Sequence, residues 1–150
     1  MDIVIGIGNE LRGDDGIGPR VADAIPSRVG LETMTVHQLV PELAEKIHCA
    51  RRVLFVDASL GDELCLTQIE SSEHHGLGHA CSPASLLGWT KLAYAQEPES
   101  WLLSIPGSSF GFGEGPSSRT AAYLPEALAR IESWLSDCPE PVLMLNEEEA

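Results

Sequence analysis

Short apolar runs recur along the chain, and the segments between them show helical spacing. Residues 3–8 form the first run and lead directly into a glycine-rich turn. Residues 53–56 are four consecutive apolar side chains, a pattern typical of a parallel strand buried on both faces. Looser runs at residues 31–39, 64–69 and 101–105 predict three further strands.

Apolar residues three and four positions apart predict helices between and after these strands. The first helix opens at residues 18–19, and a short second helix starts at Pro41. Ser82 is suited to cap a third helix whose first residue is Pro83. A final helix either begins near Tyr123 or is kinked at Pro125.

This alternation of strands and helices predicts an α/β fold, a single three-layer α/β/α domain with a twisted, mostly parallel sheet. Residues 1–139 would form the domain, and residues 140–150 an acidic tail that we expect to be flexible. Ligands bind such sheets at the carboxyl ends of the strands. Polar residues that follow a predicted strand are therefore the candidates for chemistry.

The composition fits one globular domain, since 43% of the 150 residues are hydrophobic and 21% are charged. The formal net charge is −14, which makes nucleic acids and anionic membrane surfaces poor partners. No apolar run could cross a membrane and no signal-peptide pattern is present, so we expect a cytoplasmic protein. Four scattered cysteines without a C-x-x-C pair indicate reduced thiols.

The turn after the first strand carries two adjacent carboxylates, Asp14 and Asp15. Glycine-rich turns at this place often bind phosphate, but Leu11 stands where a dinucleotide fingerprint has its third glycine, and no Walker lysine follows. The two carboxylates would repel phosphate and attract a cation. Alternatively, one of them caps the helix that follows, and both interpretations hold if the other faces the site.

Asp57 ends the most apolar strand, and His79 lies three residues before the cap of the third helix. Each has an ordinary alternative: Asp57 could cap a turn, and His79 could be a surface histidine like His74 and His75. Two carboxylates with one imidazole would bind nickel, zinc, iron or manganese and leave coordination positions open. Neither a G-x-S-x-G elbow nor an H-E-x-x-H zinc motif occurs in the sequence.

These residues resemble those of the [NiFe]-hydrogenase maturation proteases, from the N-terminus to near residue 136. The resemblance rests on Gly6-Ile7-Gly8-Asn9 with Asp14-Asp15-Gly16-Ile17-Gly18, His37-Gln38-Leu39-Val40-Pro41-Glu42-Leu43-Ala44, Val56-Asp57-Ala58, and His79-Ala80-Cys81-Ser82-Pro83 with Leu86-Leu87. The second block is similar to the subgroup that serves bidirectional and some uptake hydrogenases. The family fold, a phosphorylase/hydrolase-like twisted sheet flanked by helices, agrees with the predicted elements.

The resemblance implies a cytoplasmic endopeptidase that removes the C-terminal extension of the nickel-loaded [NiFe]-hydrogenase large-subunit precursor. It implies that Asp15, Asp57 and His79 bind the nickel, which belongs to the substrate and reports that its insertion is complete. Other divalent metals could substitute. A carboxylate that does not bind the metal, Asp14 or Asp15, could act as the general base.

We also expect substrate contacts at Asn9 and Gln38, within the first two blocks, and at Phe110 and Phe112. The two phenylalanines lie in a glycine-rich segment that either lines the substrate cleft or is simply pinned to the domain by them. Two competing functions remain. One is a metal-dependent hydrolase with its own bound metal, and the other is a chaperone that binds the nickel-loaded precursor without cutting it.

Overall fold

A computed structural model of the chain describes residues 1–72 and 81–136. One five-stranded sheet with the order β2-β1-β3-β5-β4 occupies the centre of this part of the chain. The strands are β1 (Asp2–Ile7), β2 (Leu31–Val36), β3 (Arg52–Ser59), β4 (Cys65–Ile69) and β5 (Glu99–Pro106). All neighbouring strands pair in parallel except β4, which is antiparallel to β5 at the edge. The predicted α/β fold with a mostly parallel sheet is therefore confirmed.

The carboxyl ends of two predicted strands are wrong by two residues or more, and the pairing explains both. The second strand was predicted to reach residue 39, but β2 ends at Val36 because its neighbour β1 ends at Ile7. Leu39 instead forms an isolated bridge with Cys81. The third strand was predicted to end at Asp57, but β3 continues to Ser59 because β5 pairs with it that far.

Five α-helices lie in the described part of the chain. They are α1 (Ile17–Asp23), α2 (Leu43–Ile47), α3 (Pro83–Tyr94), α4 (Ser118–Ala121) and α5 (Leu124–Ser136), and a 3-10 turn spans Gly13–Gly16. The predicted cap of α3 is confirmed, since the Ser85 amide donates to Ser82 Oγ at 3.1 Å. The short α4 was not predicted, because four residues are too few to show a periodic pattern.

Apolar side chains cover both faces of the sheet. On one face the strands pack against α1 and α5, with a core that includes Val4, Leu54, Val56, Ile17, Val21 and Ile131. On the other face they pack against α2 and α3, with Ile3, Ile5, Val53, Phe55, Ile47 and Leu86. The consecutive apolar residues of β3 thus serve both layers, as the sequence pattern predicts.

The start of α1 lies directly against the sheet. A Cβ atom added to Gly18 would sit 2.5 Å from the carbonyl oxygens of Ile7 and Val56, so only glycine permits this approach. The close packing places the loop between β1 and α1 over the carboxyl ends of β1 and β3. Asp57 follows Val56, so this contact sets where the loop lies relative to Asp57.

At the amino end of the sheet, charged side chains gather around the buried Asp2. Arg51 and Arg52 each lie 3.2 Å from Asp2, and Arg52 also donates to the Trp134 carbonyl at 3.1 Å. The Arg52 guanidinium stacks 3.9 Å from the centre of the Trp134 ring. These contacts join α5 to β1 and β3.

Within the described ranges, no helix has the length and apolar character that a membrane span needs. Cys49, Cys65 and Cys81 are free thiols, in agreement with their scattered positions in the sequence. The predicted tail, residues 140–150, lies outside the described residues, so the proposed boundary at residue 139 stays a prediction.

Candidate active site

Two of the predicted site carboxylates meet at the carboxyl edge of the sheet. Asp15 lies in the 3-10 turn after β1, and Asp57 lies in β3 opposite Ser104 of β5. Asp57 is two residues beyond Phe55, so strand alternation places it on the α2–α3 face of the sheet. The two carboxylates are close enough that the charge of Asp15 acts on Asp57.

No ion pair among the described residues offsets the charge of Asp57. Burial, and to a smaller degree the negative charge of Asp15, raise the pKa of Asp57 to about 6. A hydrogen bond from the Ala58 amide at 2.8 Å opposes these two effects without overcoming them. A carboxylate pair of this kind favours either a shared proton or a bound cation.

Hydrogen bonds from backbone amides to side chains shape the turn that carries Asp15. The Asn9 amide donates to Asp15 Oδ2 at 2.7 Å, and Asn9 Oδ1 accepts a hydrogen bond from the Leu11 amide at 2.9 Å. Asn9, predicted to contact substrate, therefore orients Asp15 through its backbone and organises the turn through its side chain. Its contact with substrate stays a prediction.

The side chain of Asp14 lies in a different environment from that of Asp15. Its side chain is fully buried and accepts hydrogen bonds from the amides of Ser108, Ser109 and Ser117 at 2.6–2.8 Å. The Ser117 hydroxyl donates a further bond at 3.2 Å. Burial alone would raise the pKa of Asp14, but these donors outweigh it and hold the pKa well below its usual range.

Both roles suggested for Asp14 are therefore revised. It is not a helix cap, because neither the 3-10 turn nor α1 has a side-chain cap. It is also unsuited to be a general base, since its oxygens face bound donors and none of its surface is exposed. Sequence adjacency to Asp15 could not distinguish a site residue from an internal anchor.

The predicted third metal ligand, His79, lies outside the described residues, as do His74 and His75. Its role and its distance to the carboxylates stay predictions. The described residue nearest to it in sequence, Cys81, bridges to Leu39 beyond the end of β2. Within residues 1–72 and 81–136, no group of three or more His, Cys, Asp or Glu side chains could hold a metal by itself.

A cavity of about 280 Å³ lies between the first loop and the end of β2. Asn9, Leu11 and His37 are among the residues that line it, whereas the predicted contact Gln38 is not. Leu11 and His37 were not singled out as site residues from the sequence. Their positions after the carboxyl ends of β1 and β2 were the signal that could have identified them.

The two phenylalanines of the segment after β5 differ in exposure. The Phe110 ring packs over Gly107, where an added Cβ would lie 3.3 Å from the ring. The Phe112 side chain is 77% exposed. Phe110 therefore packs within its own segment and is half-buried, whereas Phe112 is largely exposed; substrate contact by either ring stays a prediction.

Comparison with known proteins places this architecture among solved structures. Neither a scan of protein-family models nor a search of curated proteins finds a significant match. Structural comparison does: the hydrogenase maturating endopeptidase HybD from Escherichia coli superposes with a TM-score of 0.76 and 20% identity, over 91% of this chain and 92% of that one.

Archaeal structures are also similar. The [NiFe] hydrogenase maturation protease HybD from Thermococcus kodakarensis has a TM-score of 0.68 and 20% identity, covering 89% of this chain and 97% of its own. A hydrogenase 2 maturation peptidase from Thaumarchaeota archaeon SCGC_AB-539-E09 has a TM-score of 0.66 and 21% identity, with coverages of 89% and 97%. The resemblance found in the sequence motifs is thus confirmed in three dimensions: the chain has the fold of the hydrogenase maturation proteases.

Proposed function

We propose that this chain is an endopeptidase that removes the C-terminal extension of the nickel-loaded [NiFe]-hydrogenase large-subunit precursor. The observation that carries the proposal is the pair Asp15 and Asp57, at the carboxyl edge of a fold shared with proteins named as hydrogenase maturation endopeptidases. We expect the reaction to take place in the cytoplasm.

The nickel would be part of the substrate and would serve as the recognition element. Asp15 and Asp57 repel each other, and a divalent cation brought by the precursor would relieve that repulsion. Carboxylate oxygens together with the imidazole of His79 are suitable ligands for nickel and for other divalent metals. A precursor that lacks nickel would bring no charge to offset the pair, so it would bind weakly.

The same cation would assist peptide hydrolysis. Its charge would stabilise the negative charge that develops on the attacked carbonyl oxygen. With Asp14 committed to hydrogen bonds, Asp15 and Asp57 are the carboxylates left to accept the proton of the attacking water. The cavity beside Asn9 and His37 would hold residues next to the cleaved bond.

The decisive experiment compares two forms of one substrate. The protein is incubated with nickel-loaded and with nickel-free large-subunit precursor, and the loss of the C-terminal extension is followed by mass spectrometry. Cleavage of the nickel-loaded form alone is the expected result. Binding without cleavage of either form would favour a chaperone, and metal retained by the protein through exhaustive dialysis would favour a hydrolase with its own metal.

The placement of the third ligand has its own matched pair of variants. His79→Ala should abolish cleavage, whereas His74→Ala, five residues earlier in the chain, should cleave like the wild type. The reverse result would show that the ligand has been assigned to the wrong histidine. Thermal unfolding of both variants checks that each remains folded.

A further inference from the structure

The segment between β5 and α4, residues 107–117, is fastened to the first loop through one carboxylate. Asp14 Oδ2 accepts the Ser108 and Ser109 amides, both at 2.8 Å, and Asp14 Oδ1 accepts the Ser117 amide at 2.6 Å. These donors stand at both ends of the segment, which we call the 107–117 loop. One side chain therefore closes the loop at its start and at its end.

Backbone hydrogen bonds continue the attachment along the loop. The Asp14 amide donates to the Ser109 carbonyl at 2.7 Å, and the Gly113 amide donates to the Leu11 carbonyl at 2.6 Å. The packing has no spare room, since a Cβ added to Gly107 would lie 2.9 Å from the Asp14 Cβ. The two loops are thus held as one unit.

The charge on Asp14 is balanced in an unusual way. No ion pair among the described residues includes it, so amide and hydroxyl donors alone offset the loss of its hydration. Such an arrangement is rigid, because any opening of the loop would leave a buried carboxylate without its donors. The loop is therefore fixed at a defined position beside Asp15.

The two fixed loops expose apolar side chains at the surface. Leu11 on the first loop is 57% exposed, and Phe112, next to the residue that bonds to Leu11, is 77% exposed. Together they make an apolar rim that adjoins the cavity at Asn9. The chain carries a net charge of −14, which disfavours an acidic partner at this rim.

We propose that Asp14 is a positioning residue: it braces the 107–117 loop so that Leu11 and Phe112 form a rigid rim for an extended apolar segment without acidic residues. The identity of that segment as part of the hydrogenase precursor rests on the proposed function. The bracing of the loop does not. Pre-set contacts of this kind lower the ordering cost of substrate binding and act mainly on KM.

The test uses Asp14→Asn in the full chain. This substitution keeps the shape of the side chain but replaces one acceptor oxygen with an NH2 group, which cannot accept hydrogen bonds from the loop amides. Hydrogen exchange of the Ser108, Ser109 and Ser117 amides should become at least about tenfold faster. Cleavage of nickel-loaded precursor should show KM raised about tenfold with kcat nearly unchanged. Asp23→Asn, an exposed carboxylate at the end of α1, is the charge-matched control.

A general base at this position would behave differently. Its loss would lower kcat by about 10²- to 10⁴-fold and leave loop exchange as in the wild type, and that result would overturn the proposal. A wild-type protein that cleaves no precursor overturns the proposed function instead. Unchanged exchange in Asp14→Asn overturns the brace, so the two failures are distinguishable.

A second variant disturbs the contact between Asp14 and the 107–117 loop without altering any charge. Gly107→Ala pushes the loop away from Asp14, and it should reproduce the faster exchange and the raised KM. Gly115→Ala is its control in the same loop, because the nearest atom to the added Cβ is 3.9 Å away. Wild-type exchange and KM in Gly107→Ala would contradict the proposal even if Asp14→Asn failed to fold.

Discussion

The two ends of the sheet hold carboxylates in opposite ways. At the amino end, burial would raise the pKa of Asp2, but Arg51 and Arg52, each 3.2 Å away, lower it overall. At the carboxyl end, burial and the charge of Asp15 together raise the pKa of Asp57 to about 6. One end pairs opposite charges, whereas at the other end, within residues 1–72 and 81–136, two like charges act on each other.

The difference separates a structural role from a functional one. The amino-end pairs join α5 to the sheet, so they serve the fold. Under the proposed function, the carboxyl-end pair weakens the free protein and would gain its partner only when the cation of the precursor arrives. Proteins commonly accept such a loss of stability where a ligand has to bind. Asp14 shows a third solution, in which neutral donors hold a buried charge.

The largest expected effect is on cleavage. Asp57→Asn and Asp15→Asn should each lower kcat/KM for nickel-loaded precursor by about 10³-fold, equivalent to ~4 kcal/mol, because each removes half of the charge that meets the cation. Initial cleavage rates by mass spectrometry measure the effect. Asp23→Asn should match the wild type, and a loss of similar size there would show that any carboxylate matters.

The second-largest effect is the loss of folding stability when a charge pair at the amino end of the sheet is broken. Arg52→Ala should lower the free energy of unfolding by about 3 kcal/mol, since it leaves Asp2 partly unpaired and removes the guanidinium from the Trp134 ring. Urea unfolding gives the value. Arg28→Ala, which breaks an exposed pair with Glu132, should cost less than about 1 kcal/mol. Equal losses would refute the distinction between buried and exposed pairs.

A smaller effect of opposite sign is expected at the carboxyl end. Asp57→Asn should raise the free energy of unfolding at neutral pH by about 1–2 kcal/mol, because it removes a partly buried charge that Asp15 opposes. The same urea experiment tests it. A destabilised Asp57→Asn protein would mean that the charge of Asp57 is compensated within the free protein.

The last prediction is the pH dependence of the same stability, which has the same physical origin as the effect of Asp57→Asn. The pKa of Asp57 is raised in the folded state, from 3.8 to about 6, so the folded protein binds this proton more tightly. Stability from this group therefore rises as the pH falls through about 6 and levels off below 3.8. Asp57→Asn should lack that rise. Asp2 and Asp14, with lowered pKa values, lose their contribution only at more acidic pH.

Much of the architecture follows from local patterns. The apolar run at residues 53–56 predicts the central strand, and Ser82 with Pro83 predicts where α3 begins, because burial and capping are read within a few residues. The antiparallel direction of β4 and the true ends of β2 and β3 were not predictable in this way. They depend on how far a neighbouring strand extends.

The sequence by itself determined the fold class, the central apolar strand that carries Asp57 and the pair of adjacent acids at positions 14 and 15. Only the tertiary structure decided which acid does what. The partners of Asp14 lie 94 to 103 residues away along the chain, and the charge that acts on Asp57 comes from a different strand end. Hydrogen bonding and burial across such distances arise only when the chain has folded, so two neighbouring aspartates acquire different environments and different tasks.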